Sequence, residues 1–171
     1  EACPGSLGLS KTVPELPVSP YALQGTKAHE LCEVLIKMFV LDKLLTDKEQ
    51  DLHDTIRKED AEMYRYCYDF AMFVRDVYLK FESKTIKVKA YLESKVKFSK
   101  YLYGTADFIV MGQKNKKWHC CLIDFKYGVS QVKAVDNGQL ATYLVCLEEQ
   151  FNIKVEKAYM IIYQPRVGKH P

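Results

Sequence analysis

Two aspartates and a lysine stand inside strongly apolar runs of this sequence, where charged side chains are uncommon. Asp107 lies in the run ADFIVMG, whereas Asp124 and Lys126 lie in WHCCLIDFK, and the polar linker QKNKK joins the two runs. Two apolar runs around a short polar linker predict a β-hairpin. Burying these charges costs several kcal/mol unless they are paired or bind a metal ion.

The hairpin would bring the three charged side chains together. Because side chains alternate along a strand, Asp124 and Lys126 project from one face, and pairing can place Asp107 opposite them. An ion pair explains one aspartate and the lysine but leaves the second carboxylate without a partner. Two close carboxylates suit Mg²⁺ or Mn²⁺, beside which a lysine can orient a water or stabilise charge on a phosphate. A metal site and a structural charge cluster both remain open.

Composition indicates one ordinary folded domain. The chain has 171 residues, of which 48% are apolar and 27% charged, and its net charge is +3. This length suits a single domain over residues 1–171, with residues 1–18 as an irregular lead-in rich in proline and glycine. The six cysteines form no CxxC pair, and no apolar segment is long enough to span a bilayer. We therefore expect an intracellular protein with no membrane partner.

Helical signals fill the first half of the chain and return near its end. Ser19 followed by proline has the form of a helix N-cap, and Thr46 with Glu49 has the form of a capping box. Breaks in these helices are possible at Gly25 and near residues 57–60. The expected helices cover about residues 20–41, 47–81 and 136–150, and a last strand covers residues 157–164.

Residues 85–98, TIKVKAYLESKVKF, alternate between apolar and charged side chains. Such alternation predicts a half-buried strand, or two strands with a bend between them. One face would carry Ile86, Val88, Ala90, Leu92, Val96 and Phe98. The lysines of the other face would follow a phosphate backbone or be solvated, and Glu93 among them would offset their repulsion.

The expected order is helices, three antiparallel strands, a helix and a last strand. Elements in this order form a sheet layer covered by helices. We therefore predict an α/β (α+β) fold with a central mixed sheet flanked by helices.

Four motifs in order along the chain resemble those of the PD-(D/E)XK nuclease superfamily. GTKAHELCE contains His29, GTAD ends at Asp107, DFK covers residues 124–126, and QLATY begins at Gln139 and ends at Tyr143. The histidine and the QxxxY element resemble the RecB-like branch. CPGS and YALQGTKAHE resemble the amino-terminal signature of a phage-encoded RecB-like exonuclease family. The likeness covers residues 3–166 and implies a restriction-endonuclease-like core.

The resemblance implies roles for the matched residues. His29, Asp107 and Asp124 would bind a divalent metal ion, with the backbone carbonyl of Phe125 as an additional ligand. Lys126 would be the catalytic lysine, acting together with the two aspartates.

Gln139 and Tyr143 would brace this site and contact DNA, again by resemblance. Two glutamates stand nearby in the sequence. Glu33 follows His29 by four residues on the same helix face, so it would either hold the imidazole through a hydrogen bond or be solvated. Glu93 is a further candidate, because the resembling families often place an acid on this strand.

The same resemblance implies a nuclease that hydrolyses DNA phosphodiester bonds with Mg²⁺ or Mn²⁺, used by a phage as an exonuclease in recombination or DNA processing. DNA and a phage recombination protein would be its partners in the host cytoplasm. No iron–sulfur cluster is expected, because no cysteine follows Cys146, whereas nucleases that hold a cluster have three near the carboxyl end. A nucleic-acid-binding or scaffold protein on the same fold and an RNA nuclease stay open, as do strand polarity and oligomeric state.

Overall fold

The computed structural model describes residues 19–167, and the predicted lead-in at residues 1–18 lies outside them. In chain order the elements are α1 (Pro20–Phe39), α2 (Asp47–Glu59), α3 (Ala61–Lys84), β1 (Ile86–Lys97), β2 (Tyr103–Lys114), β3 (Lys117–Phe125), α4 (Gly138–Phe151) and β4 (Val155–Tyr163). Within this part of the chain, no helix has the length and apolar character needed to cross a bilayer.

The helices begin at the predicted caps. The Ser19 side chain accepts a hydrogen bond from the third residue after it, and Thr46 and Glu49 form both hydrogen bonds of a capping box. α1 continues through Gly25 without a break, because its long buried face outweighs the ~1 kcal/mol cost of one glycine. The second predicted break is present, since α2 ends before Asp60, whose side chain caps α3.

The four strands form one sheet in the order β1-β2-β3-β4. β1, β2 and β3 pair antiparallel, whereas β4 runs parallel to β3 after the crossover through α4. The predicted α+β fold with a central mixed sheet flanked by helices is therefore confirmed. The β2–β3 strands extend further than predicted and leave only Asn115 and Lys116 in the turn, both with positive φ, as a tight two-residue hairpin requires.

Helices cover both faces of the sheet and create two hydrophobic cores. On one face, α1, α2 and α3 pack against Phe108, Val110, Cys121, Ile123 and Phe125. On the other face, α4 packs against Val96, Ala106, Ile109, Met111, Cys120 and Leu122. All five cysteines in the described range are free and buried. Since alternate residues of β3 serve opposite cores, this strand is buried on both sides, which accounts for its continuous apolar sequence.

The prediction that all apolar residues of β1 share one face is wrong. Val88, Ala90 and Leu92 pack on the α1–α3 side, but Val96 packs on the α4 side. The first and last members of the predicted face, Ile86 and Phe98, are 65% and 49% exposed. Between the two halves lies Glu93, with a φ of 46°. A residue in the left-handed region interrupts the period-two alternation, so the side chains that follow it change faces.

Candidate metal centre

The predicted site residues gather at the end of the sheet where β3 finishes. They come from four elements: His29 from α1, Asp107 from β2, Asp124 and the adjoining Lys126 from β3 and its end, and Gln139 and Tyr143 from α4. No two of these elements other than β2 and β3 are joined by a tight turn, so the site depends on the packing of the whole sheet and its helices.

Three side chains face one another closely enough to hold one ion. His29, Glu93 and Asp107 each offer a ligand atom, and these atoms lie within 4.8 Å of one another. His29 Nδ1 is 3.5 Å from Asp107 Oδ1. The imidazole is oriented by the ring of Phe125, which it meets edge-on with 5.3 Å between centroids. A nitrogen and two carboxylates therefore converge from α1, β1 and β2.

Asp107 occupies the point where the β2–β3 ladder ends. The last paired residues are Phe108 and Ile123. One position further, Asp107 Oδ2 accepts a hydrogen bond of 2.6 Å from the backbone N–H of Phe125. The side chain thus replaces the backbone acceptor that the ladder would have supplied. This bond fixes the carboxylate between β3 and His29.

Asp124 is almost fully buried, with 2% of its side chain exposed. Its Oδ1 accepts a hydrogen bond of 3.2 Å from Gln139 Nε2. Its Oδ2 lies 2.8 Å from Lys126 Nζ. This contact is an ion pair without hydrogen-bond alignment, and across residues 19–167 no donor is aligned with this oxygen. The ammonium group of Lys126 is therefore the partner that offsets the charge of this buried oxygen.

Gln139 links the charged pair to α4. Lys126 Nζ donates to Gln139 Oε1 at 3.2 Å, while Gln139 Nε2 lies 2.6 Å from the hydroxyl oxygen of Tyr143. The Lys126 side chain remains 29% exposed, so its ammonium group is held in place and still reaches solvent. The QxxxY pair therefore braces the lysine as well as the aspartate.

Gly104 of the GTAD motif is in direct contact with Tyr143 of the QLATY motif. A Cβ at this position would lie 2.5 Å from Cε1 of Tyr143, closer than any ordinary van der Waals contact. The tyrosine ring therefore packs directly on the β2 backbone, three residues before Asp107. Only glycine leaves room for that contact.

Burial and mutual repulsion raise the pKa of two carboxyl groups of the site. Burial and the neighbouring Asp107 carboxylate raise the pKa of Glu93 to about 7, against the opposing effect of His29. Burial also raises the pKa of Asp124; the ion pair with Lys126 opposes this and the charge of Asp107 adds to it. A divalent cation would favour the ionised form of both groups.

The same negative charges also raise the pKa of His29, where they favour the charged form of the side chain. Burial lowers the pKa of His29, but its contact with Asp107 and the charges of Asp107 and Glu93 outweigh burial and leave the pKa above its ordinary value. In the absence of a cation, the imidazolium form is therefore the partial counter-ion of the acids.

Two predicted residues, Glu33 and Asp124, make contacts that differ from the expected ones. Glu33 neither hydrogen-bonds His29 nor stays free in solvent: it pairs with Lys37 at 2.7 Å, and Lys37 also contacts Glu49 at 2.5 Å. Asp124 is absent from the group of three ligands within 4.8 Å of one another, and Glu93 takes that place. The sequence signal for Glu93 is that it is the only acid among residues 85–98. The roles of Asp124 and of the Phe125 carbonyl as metal ligands stay predictions.

A cluster of aromatic and basic side chains borders the same end of the sheet; its β1 lysines belong to the predicted lysine face, whereas its exposed aromatic side chains were not predicted. We give the name aromatic–basic loop to residues 95–103, which are the end of β1, its connection to β2 and the first residue of β2. It exposes Phe98, Tyr101 and Tyr103, and its lysines are Lys95, Lys97 and Lys100. Lys95 pairs with Thr105, two residues from Asp107, so the loop lies close to the centre. In contrast, Lys114 and Lys117 lie at the opposite end of the sheet, where Lys117 pairs with Glu156.

Comparison with known families places the chain in one of them. A family model described as "Protein of unknown function (DUF2800)" matches residues 1–170, and the chain belongs to that family. No solved structure matches the chain.

Proposed function

We propose that this protein is a metal-dependent nuclease that hydrolyses phosphodiester bonds in DNA. One observation carries the proposal: a histidine and two carboxylates converge near a buried aspartate that is paired with a partly exposed, oriented lysine. These residues are His29, Glu93, Asp107, Asp124 and Lys126. The ion pair between Asp124 and Lys126 neutralises one carboxylate, so the others support a cation as their partner.

The side chains present fit Mg²⁺ or Mn²⁺. The donors are carboxylate oxygens and one imidazole nitrogen, without a thiolate, which suits these ions rather than structural zinc. The Glu93 carboxylate has neither a hydrogen bond nor an ion pair with any residue from 19 to 167, so it is available to a metal. His29, Glu93 and Asp107 would hold the ion, and Asp124, the third ligand that the motif resemblance implies, would add a carboxylate from β3.

The chain's own residues would supply orientation and positive charge. A bound Mg²⁺ or Mn²⁺ would polarise the phosphate and lower the pKa of a water. Lys126 would place its ammonium beside the phosphate oxygens as negative charge develops on them. Because Gln139 and Asp124 already hold Nζ, little reorientation would be needed when the substrate binds.

The aromatic–basic loop supports nucleic acid as the substrate. Lysines attract the phosphate backbone, and exposed aromatic rings stack on unpaired bases in a way that tolerates any sequence. Tyr101 and Tyr103 are 70% and 68% exposed, and Lys100 Nζ lies 4.7 Å from the centre of the Tyr101 ring. Unpaired bases occur at frayed ends, so this surface favours an exonuclease. The further proposal of a phage enzyme of recombination or DNA processing rests on the motif resemblance alone.

The decisive experiment compares linear and closed-circular DNA, each with Mn²⁺ and with excess EDTA. We expect linear DNA to be degraded with Mn²⁺, circles to be spared, and no cleavage with EDTA. Asp124→Ala should abolish cleavage, whereas Asp51→Ala, an exposed aspartate on α2, should leave it unchanged. Cleavage in EDTA would refute the metal. Faster cleavage of RNA would identify an RNA nuclease, and tight DNA binding without cleavage would identify a binding protein.

A further inference from the structure

A second concave surface lies at the opposite end of the sheet from the metal centre. It is a cavity of about 340 Å³ between the carboxyl-terminal half of α3 and strands β3 and β4. We call it the basic groove. Its apolar floor includes Val77, Phe81, Cys121 and Ile161, and its lysines are Lys80, Lys84, Lys114 and Lys157.

The charge of the basic groove is uncompensated. All four lysines are exposed, and within the described part of the chain none has an ion-pair partner and no carboxylate lines the cavity. Glu156, the neighbour of Lys157 on β4, is engaged with Lys117 at 2.7 Å. Several like charges around one concavity repel one another and raise the local concentration of anions. The occupant should therefore be acidic.

The floor selects an apolar side chain rather than a nucleobase. Val77, Cys121 and Ile161 offer no flat surface. Lys157 Nζ lies over the Tyr159 ring, 4.8 Å from its centre. The Phe81 ring contacts the Tyr159 ring edge-on. A base needs an open aromatic face on which to stack. In contrast, an apolar floor of aliphatic and aromatic side chains within a rim of lysines fits a large apolar side chain flanked by carboxylates.

We propose that the basic groove binds an acidic peptide segment of a partner protein, with one large apolar side chain on the floor. The groove residue His119 and the site residue Asp124 are five positions apart on β3, which corresponds to about 16 Å. A peptide in the groove therefore leaves the metal centre open. The inference does not depend on the proposed nuclease activity.

The test uses a labelled oligo-aspartate peptide that ends in phenylalanine, with fluorescence anisotropy as the measurement. The same peptide ending in serine and a single-stranded oligonucleotide are compared on the full chain. We expect the phenylalanine peptide to bind roughly tenfold more tightly than the serine peptide, because only its ring occupies the floor. Equal binding of the two peptides, or displacement of the peptide by the oligonucleotide at lower concentration, would overturn the proposal.

Protein variants locate the binding to the groove. Lys80→Glu with Lys157→Glu should weaken peptide binding at least about tenfold, since both charges become repulsive. Lys48→Glu with Lys58→Glu, two exposed lysines on α2, makes the same change in net charge away from the groove and should change affinity less than about twofold. Thermal unfolding of both double variants verifies that they are folded. Equal losses in the two variants would mean non-specific attraction and would refute the groove as a site.

Discussion

At the scale of single residues, Lys126 is the side chain whose role is most separable from metal binding. An ammonium group cannot ligate a cation, and Lys126 instead contacts Asp124 and Gln139. Its proposed value lies in the transition state, when charge builds on the phosphate.

We therefore expect Lys126→Ala to bind Mn²⁺ and DNA about as well as the wild type but to cut roughly 10²–10³-fold more slowly. Calorimetric Mn²⁺ titration and single-turnover cleavage measure the two properties separately. Lys133→Ala, an exposed lysine of the loop before α4, is the matched control. Wild-type cleavage by Lys126→Ala would make this lysine a structural counter-ion.

Glu93 gives a prediction on pH dependence. Its pKa in the folded protein is about 7, above its ordinary value of 4.5, because of burial and the Asp107 carboxylate. Between these values the folded protein binds more protons than the unfolded chain, so stability falls as pH rises towards 7. His29 and Asp124 are shifted upward too and add to the fall. In EDTA, Glu93→Gln should reduce the loss of Tm between about pH 5 and 7.5.

Thermal unfolding across pH checks this expectation, with Glu30→Gln, an exposed glutamate on α1, as the control that keeps the wild-type slope. Mn²⁺ should raise the Tm of the wild type more at high pH than at low pH, because the cation binds the ionised carboxylates. An unchanged slope in Glu93→Gln would show that this carboxyl group is not the group that titrates.

At the scale of elements, the contact between β2 and α4 positions Gln139. Gly104→Ala would drive a methyl group against the Tyr143 ring. Overpacking of this kind costs about 1–3 kcal/mol, and the displaced ring would release the brace on Lys126. We expect Gly104→Ala to lower both the free energy of unfolding and the cleavage rate.

Gly25→Ala is the matched comparison for that variant. A Cβ at Gly25 would meet no atom within 4 Å, and the residue is inside α1. Alanine should therefore stabilise the protein by roughly 0.5–1 kcal/mol. Urea unfolding of the two variants measures both free energies. Equal stabilisation by both substitutions would contradict the close packing of Tyr143 on β2.

The sequence predicted elements whose signals are local and failed where packing decides. Caps at Ser19, Thr46 and Asp60 are set by neighbouring residues, so the helix starts and the break between α2 and α3 could be anticipated. Glu93 was a candidate for the site by motif resemblance alone, and the alternation of β1 did not predict its position. Period-two alternation assigned it to the lysine face of β1, but its left-handed φ turns the strand and places the carboxylate beside His29 and Asp107. Glu33 and Lys37 stand four residues apart on α1, so their ion pair is local, whereas the contact of Lys37 with Glu49 depends on how α2 packs against α1.

At the scale of the whole molecule, the charges are distributed unevenly. The net charge is only +3, yet lysines gather at both ends of the sheet, in the aromatic–basic loop and in the basic groove. Each loop lysine that contacts a phosphate contributes about one counterion to the salt dependence of DNA binding.

Lys95→Ala with Lys97→Ala should therefore weaken DNA binding and lower the slope of log K against log salt by roughly 2. Binding isotherms at several salt concentrations give this slope. Lys48→Ala with Lys58→Ala serves as the control of equal charge. A slope that both pairs lower equally would mean that DNA senses only the net charge.

The hydrogen bond from the Phe125 N–H to Asp107 gives this single carboxylate two separable tasks, one for each oxygen. Oδ2 completes the hairpin, and only Oδ1 faces His29. An asparagine could keep its amide oxygen on the backbone and turn its NH₂ towards the centre, where a donor repels a cation. Asp107→Asn should thus preserve Tm while abolishing Mn²⁺ binding, whereas Asp107→Ala should harm both. In a related chain, asparagine at this position would therefore indicate a protein that keeps the fold but does not bind the metal ion.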